Sequence, residues 1–596
     1  MNKIIVYDFE VFSHDTLLGT ITINEDGTAD ILQMWDLEKI KNFYKTHIDD
    51  FWISHNGEGY DNFILEAIVE GQNEEQVKRL SDKIIGGDRF RKLKLPLKYF
   101  DLMKSRFYSL KAVEAFMGKA ISESQISFNQ PTKLSEHDRE LTESYNLDDL
   151  DQTLDDFMEL KNEFVLRLDM INEFGLSMDA LKSTGTAIAA KVLKAKQIPG
   201  IENMVIEPIL WPNLRVNHQE CIDFYLNKDW AQKKRLTVNI AGCDFIMSSG
   251  GIHAALKCFH AESALYFDVS GYYNLLMINL NLYPRTIPEE GKQKYIYMYH
   301  EQLRLKTIDP NKRGIFKTIL LCVWGAMKNQ YCDFYDPYTG DILLLSGQLF
   351  LIDLCEKLEG KAQVVQANTD GVIAIPINGT TDEEIKEIID EWQSRTGFVL
   401  KFDKIYDIHQ RDVNNYMYRN KAGEITTVGE AVTHYGKWVY PFWKSSFNAK
   451  EPIIVTYCIV EYFMFNQTPE QTVAKYKDNL RMFQYICKKL SFDYLEYEEE
   501  DYNGNEAYVS RLQNINRAFA WKSDSLKGMI YKCKSDGKRA KVSNLPDSVF
   551  VYNEEILSDE AKQILEQKID YQYYVERAYE RIQEFINIEH VKEIVI

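Results

Sequence analysis

Apolar and polar positions follow two periods along the chain. Residues 1–35 alternate like a sheet built from hairpins, with Ile4, Ile5, Val6 and Tyr7 reading as one buried strand. Phe51 to Ser54 predicts another short strand. Over 137–170 the period is helical, opened by Ser135 as N-cap with Glu136, Asp138 and Glu140 in the first turn, where acids suit the helix dipole. A helix-rich pattern continues to about 200. Strand character returns around Ser248-Ser249-Gly250-Gly251, which predicts a boundary between two functional halves. Leu265-Tyr266-Phe267 and Val364 to Ala367 are short β-type runs, and between them 290–330 predicts two helices joined at Asp309-Pro310. Beyond about 420 the chain is expected to be helical and charged, with a strand-turn interruption near Ser535-Asp536-Gly537. No internal repeat or low-complexity linker is present.

The candidate chemistry lies at the ends of the apolar runs. Asp8 and Glu10 stand two apart at the end of the first strand, so both carboxylates share a face and can reach one cation. Paired acids on a strand edge suit a hard metal such as Mg²⁺, which takes few carboxylates and keeps several waters. A single such pair is more often a solvated strand exit. Lone acids recur, however, in Asn56 to Asp61, in Tyr145 to Asp149, at Asp268 and at Asp370.

A length of 596 residues predicts three to five domains, and 45% hydrophobic with 27% charged residues describes an ordinary globular protein. The nine cysteines form no CxxC pair and no metal-ligand spacing, as expected of reduced thiols in a cytosolic protein. No basic stretch followed by an apolar region opens the chain, and no run approaches the length of a membrane span, so a soluble, unprocessed, cytoplasmic protein is expected. The net charge of −20 argues against a nucleic-acid partner, but phosphate contacts depend on local charge. Three basic stretches stand out: Lys78, Arg79, Lys83, Arg89, Arg91, Lys92, Lys94, Lys98, Lys104 and Arg106; then Arg304, Lys306, Lys312, Arg313 and Lys317; then Lys532, Lys534, Lys538, Arg539 and Lys541. Arg313 and Lys317, four apart, share one helix face.

These motifs carry a resemblance. Asp8-Phe9-Glu10, His55-Asn56-Gly57-Glu58-Gly59-Tyr60-Asp61 and Tyr145-Asn146-Leu147-Asp148-Asp149 resemble the three motifs of a DEDDy-type 3′–5′ proofreading exonuclease. The second half resembles family B DNA polymerases of the small bacteriophage type. Asp268-Val269-Ser270-Gly271-Tyr272-Tyr273 matches motif A, Lys317 through Trp324-Gly325 motif B, and Asn368-Thr369-Asp370-Gly371 motif C. Ser249-Gly250-Gly251 is similar to the glycine motif linking the halves, and Asn414-Asn415-Tyr416 stands where that family places Lys-x-Tyr.

The resemblance implies an α/β multidomain fold. An RNase H-like exonuclease domain is expected at 1–190 and a helical connector at 191–239. A right-hand polymerase follows, with palm at 240–290 and 331–420, fingers at 291–330 and thumb at 421–596. Implied metal ligands are Asp268, Val269 and Asp370 in one centre and Asp8, Glu10 and Asp149 in the other, with two Mg²⁺ (or Mn²⁺) ions per site. Asp61 and Tyr145 complete the implied nuclease machinery, Tyr145 orienting the attacking water and Asn56 contacting a frayed 3′ end. His55 is left between that role and simple packing. Arg304, Arg313 and Lys317 are the implied triphosphate contacts, Tyr273 the sugar-excluding ring, and Tyr416, Gly250 and Gly251 further substrate contacts.

The expected function is a template-directed DNA polymerase with 3′–5′ proofreading, replicating a phage or mobile-element genome by two-metal nucleotidyl transfer. The alternative is a DNA-binding 3′–5′ exonuclease with a degenerate polymerase half. Expected partners are a DNA primer-template and dNTPs, with a helicase or single-strand-binding protein as accessory. A monomer without membrane contact, in the host bacterial cytoplasm if phage-encoded, is expected. The chain departs from the family pattern at Gly271, Tyr272 and Asn274 in motif A, at Leu321, Cys322 and Trp324 in motif B, at Asn368 in motif C, and at Asn414. Only 49 positions lead from Asp268 to Lys317 and 53 from Lys317 to Asp370, which leaves little room for an added strand-displacement or terminal-protein subdomain.

Overall fold

The computed structural model describes residues 2–587 except Glu25, 88–91, Phe107, Ser122, Gln125, Glu430, 433–434 and 437–450. Arg89 and Arg91 of the first basic stretch, with the side chain of Arg106, lie outside the described residues, as does part of the segment expected as thumb. The fold is α/β with mixed sheets, and the chain forms two compact units. One comprises Met1–Thr184 and Asp478–Asp570, the other Gly185–Lys477 and Tyr571–Ile596.

The first unit is built on a five-stranded sheet of β1 (Ile4–Val11), β2 (Thr16–Ile23), β3 (Ala29–Met34), β4 (Phe51–Ser54) and β5 (Lys98–Asp101), in the order 3-2-1-4-5. β3, β2 and β1 pair antiparallel, whereas β1, β4 and β5 run parallel. Tyr7 and Trp52 from neighbouring strands meet edge to face at 5.1 Å and are wholly buried. Each such aromatic contributes about 1.5–3 kcal/mol by leaving water. Helix Glu136–Phe174 lies against this sheet. Ser135 caps it by accepting the Asp138 N–H at 3.1 Å. Its buried positions step by four and three, from Asn146 through Leu150, Thr153, Phe157, Leu160 and Phe164, so one stripe faces inward.

Residues 478–570 correct the expectation of a helical segment. They form a three-stranded sheet of β15 (Tyr485–Lys488), β18 (Ile515–Ala520) and β21 (Val549–Val551), and a four-stranded sheet of β16 (Tyr494–Asp501), β17 (Glu506–Leu512), β19 (Leu526–Cys533) and β20 (Arg539–Lys541). Charge content suggested a helix there, but the period is two: Leu495 and Tyr497 are buried, while Glu496 and Glu498 face out to pair with Arg539 from β20. Fully buried Arg517 ties this segment to the first one. Its guanidinium donates to Gln484 Oε1 at 2.9 Å and to the carbonyls of Ala115, Lys119 and Glu554 at 2.8 Å. The Ala115 carbonyl lies in the last turn of the helix Leu110–Met117 and the Lys119 carbonyl just beyond its Gly118 cap, so Arg517 closes that end.

The second unit holds a nine-stranded antiparallel sheet. Its strands are β6 (Leu236–Ile240), β7 (Cys243–Ser248), β8 (Gly251–Ala255), β9 (Phe259–Val269), β10 (Ala362–Ala367), β11 (Gly371–Pro376), β12 (Leu400–Asp412), β13 (Asn415–Arg419) and β14 (Ile425–Val428). Across the sheet they run 14-13-12-9-11-10-8-7-6. Gly250 and Gly251 are thus not a boundary between halves: they turn the β7–β8 hairpin, with Ser248 paired to Gly251. The connector expected at 191–239 contains the α-helix Gln219–Leu226 and already starts β6. The predicted helix pair is present as Glu289–Arg304 and Pro310–Ala326; Asp309 caps the second by accepting the Lys312 N–H at 3.0 Å, with Pro310 in its first turn. Helix Pro337–Glu356 is long and apolar enough to cross a membrane, yet it is a core helix, buried along nearly its whole length. Its Asp353 is held by Arg395 at 2.7 Å.

Candidate carboxylate centres

In the first unit, β1 ends in Asp8 and Glu10, and the helix Glu136–Phe174 delivers Asp149 to them. One carboxylate oxygen from each of Asp8, Glu10 and Asp149 lies within 4.8 Å of the other two. Asp61, buried next to this cluster, accepts the Phe9 N–H at 3.3 Å, and its charge acts on both Asp8 and Glu10. Asp8 also accepts from Asn146 Nδ2 at 3.1 Å. Burial drives the Asp8 and Glu10 carboxyls well above their ordinary range, and the neighbouring acids push the same way. Burial likewise lifts Asp61 to about 7. Such a site gains by receiving positive charge.

Part of that charge comes from Lys111, a residue the sequence reading did not single out. Its ammonium donates to Asp149 at 2.5 Å and to Glu114 at 3.2 Å, and sits 4.7 Å from the centre of the Tyr145 ring. Burial lowers its affinity for a proton, but Asp149 and Glu114 outweigh burial and hold it above the ordinary lysine range. Burial carries Glu114 to about 7. Burial, then the Asp149, Glu10 and Asp8 charges, keeps the Tyr145 phenol protonated far beyond neutral pH.

Asp101, at the end of β5, is a second residue the motifs did not mark. Its carboxylate accepts the backbone N–H groups of Asn56 and Met103 at 3.0 Å and of Glu58 at 2.9 Å. It thereby fixes the turn before Asp61, in which Asn56 takes φ 71° and stays exposed. His55 is a packing residue: its side chain is 5% exposed, with Nε2 2.7 Å from the Tyr108 carbonyl and Nδ1 3.5 Å from Asp156.

In the second unit, β9 and β11 set Asp268 beside Asp370. Asp268 is the cross-strand partner of Gly371, and the Val269 N–H donates to the Asp370 carbonyl at 2.8 Å. Burial, then the Asp370 charge, raises Asp268 to about 6; burial raises Asp370 as well. Lys401 on β12 is the cross-strand partner of Asp268 on β9. Asn368, in place of the family's first acid, serves the turn: its side chain accepts the Gly371 N–H at 3.1 Å while its own N–H donates to the Gly371 carbonyl at 3.0 Å. Gly251, at φ 134°, comes up against this turn, where an added Cβ would stand 3.3 Å from Thr369.

Tyr273 begins the helix Tyr272–Asn279 and lies stacked on Trp324 from the helix Pro310–Ala326, with centroids 3.9 Å apart. Arg313, Lys317, Leu320 and Trp324 step by four, three and four, so the cations and the indole share one helix stripe. Neither Arg313 nor Lys317 makes an ion pair among the described residues, and Arg313 Nε is buried with no hydrogen-bond partner there. Arg304 instead pairs with Glu301 at 2.8 Å on the end of the preceding helix. Tyr416, expected as a substrate contact, is 4% exposed and packs with Val365, Ile373 and Ile405.

No family model and no curated protein sequence matches the chain. Among solved structures it is similar to the family B DNA polymerase from the hyperthermophilic archaeon Pyrobaculum calidifontis, at 14% identity and a TM-score of 0.44, over 100% of this chain and 79% of that one.

Proposed function

We propose that the chain is a template-directed DNA polymerase carrying its own 3′–5′ proofreading exonuclease, of the small-phage family B type. The observation that carries this reading is the pairing of Asp268 with Asp370 on adjacent strands, together with a separate carboxylate cluster of Asp8, Glu10 and Asp149. The 3-2-1-4-5 sheet supports an RNase H-like nuclease. The nine-stranded sheet reads as a palm and the helix pair as fingers.

Both centres offer hard oxygen donors with proton affinities raised by burial, which suits Mg²⁺ or Mn²⁺. Asp8, Glu10 and Asp149 would hold the ions of one centre, and Asp268, Asp370 and the adjoining Val269 those of the other. Divalent ions, when bound, stabilise the attacking and leaving oxygens of an in-line displacement at phosphorus. The protein supplies the positioning. Arg313 and Lys317 receive the triphosphate, and the Tyr273 ring, braced by Trp324, closes the space beside the sugar C2′. In the nuclease, Tyr145 retains its proton and donates a hydrogen bond to the attacking water, while Lys111 steadies Asp149. The enzyme extends an annealed DNA primer with weak unaided strand displacement.

The test is one labelled primer-template assayed with and without dNTPs. Wild type extends with them and degrades without them. Asp268→Asn or Asp370→Asn ends extension and spares degradation, and Asp8→Ala with Glu10→Ala does the reverse. Loss of a metal ligand removes several kcal/mol of transition-state stabilisation, or about a thousandfold or more in rate. Extension by Asp268→Asn near the wild-type rate would overturn the reading.

A further inference from the structure

The second unit contains a group of metal-ligating side chains that neither carboxylate centre uses. His260 on β9 and His409 on β12 stand directly opposite each other. Asp407 lies two residues before His409, where β12 carries one residue more than β13: Tyr406 pairs with Arg419 but His409 with Met417. At this bulge Asp407 takes φ 51°, a conformation Asp tolerates better than most residues. One ligand atom from each of the three side chains lies within 4.8 Å of the others.

We propose that His260, Asp407 and His409 form a site for a divalent transition-metal ion of the zinc class, with at least one coordination position left to solvent. Two imidazoles and a carboxylate are a donor set chosen by zinc and its neighbours over Mg²⁺. The spacing fits. Asp407 Oδ1 is the shared vertex, 3.0 Å from His409 Nε2 and 3.7 Å from His260 Nε2. Metal–ligand bonds of about 2.0–2.1 Å put tetrahedral donors roughly 3.3 Å apart. The histidine rings stack with centroids 4.3 Å apart, and His260, whose side chain is 55% exposed, has the freedom to turn its Nε2 inward.

The surroundings suit a ligand site. Arg419 Nε, 3.4 Å from Asp407 Oδ2, orients the oxygen not used. The site stands eight residues, roughly 26 Å of strand, before Asp268, and so lies outside the proposed polymerase centre. An ion there would fasten β9 to β12 at the end of the sheet remote from the chemistry.

The experiment titrates the full chain with Co²⁺ in the presence of excess Mg²⁺, which occupies the oxygen-only sites. One equivalent is expected to give the strong visible absorption of a four-coordinate nitrogen-containing site. His409→Ala and His260→Gln should each abolish the band and weaken Zn²⁺ binding, read by chelator competition, by more than about tenfold. Asp8→Ala with Glu10→Ala should leave it intact. His260 is exposed, so His260→Gln remains informative if His409→Ala misfolds. No band in wild type, or a band that survives His260→Gln, overturns the proposal.

Discussion

Tyr273 lies flat on Trp324, ring centroids 3.9 Å apart and planes 8° from parallel, joining the helix after Asp268 to the helix that carries Lys317. Such a stack favours the ring orientation seen here. Trp324→Ala should release it and raise ribonucleotide incorporation relative to dNTP, by about two- to tenfold given 0.5–1.5 kcal/mol for an aromatic pair. Trp324→Tyr should restore discrimination. Competition assays with a matched rNTP and dNTP check this; an unchanged ratio for Trp324→Ala would show that Tyr273 needs no brace.

Lys317 is exposed and without an ion pair among the described residues, whereas Arg304 is engaged by Glu301. Lys317→Ala is therefore expected to raise KM for dNTP and lower kcat together, because a charge-assisted phosphate contact strengthens in the transition state. Arg304→Ala should change either constant by less than about twofold, as befits an exposed, solvent-screened pair. Steady-state kinetics on one primer-template separates the two residues.

Asp101 touches no ligand in the proposed nuclease mechanism, yet three backbone N–H groups depend on it. Asp101→Ala leaves those donors without their partner and should cost about 2–4 kcal/mol in chemical denaturation. Degradation of single-stranded DNA should fall while primer extension is largely kept, because Asp268 and Asp370 belong to the other unit. Equal losses of both activities would show that Asp101 acts on global folding instead of on the turn at Asn56.

The raised carboxyls set a pH dependence. Asp61 is pushed up to about 7 and Asp268 to about 6, both first by burial, and Asp8 and Glu10 are also raised. Unfolded carboxyls titrate near about 4. Between these limits the folded chain binds more protons than the unfolded one, so stability without divalent ions should fall as pH rises from about 4 to about 7. Mg²⁺ displaces those protons, and its stabilisation, about 2.7 kcal/mol at a hundredfold excess over Kd, should be larger at pH 8 than at pH 5. Thermal denaturation with and without Mg²⁺ at both pH values measures the difference. An equal Tm gain at the two pH values would remove Asp8, Glu10 and Asp268 as ligands.

Local pattern carried much of this arrangement. The strand at Phe51–Ser54, the capped helix from Ser135 and the helix pair meeting at Asp309-Pro310 are visible in period and capping residues alone. The acids at Asp8, Glu10, Asp268 and Asp370 announce themselves by standing at the ends of apolar runs. Lys111 and Asp101 could not be found that way, because their roles arise from packing of distant segments: the helix Leu110–Met117 near the helix of Asp149, and β5 beside β4. The strands after Tyr485 were obscured by their glutamates, whose alternation with Leu495 and Tyr497 was the better guide than their number. His260, Asp407 and His409 were silent for a similar reason, since 147 positions separate the first two.

The return of residues 478–570 to the first unit has a consequence for how the protein is made. Arg517, which closes the end of the helix Leu110–Met117, leaves the ribosome some 400 residues after the carbonyls it binds. At about 5–20 residues per second, the N-terminal segment waits roughly 20–80 s for its missing sheets. Throughout that interval the helix lacks the Arg517 contacts at its end, and the unit that holds the Asp8, Glu10 and Asp149 cluster lacks its full scaffold. A fragment ending near residue 190 would be held permanently at that stage, because the first unit also needs residues 478–570.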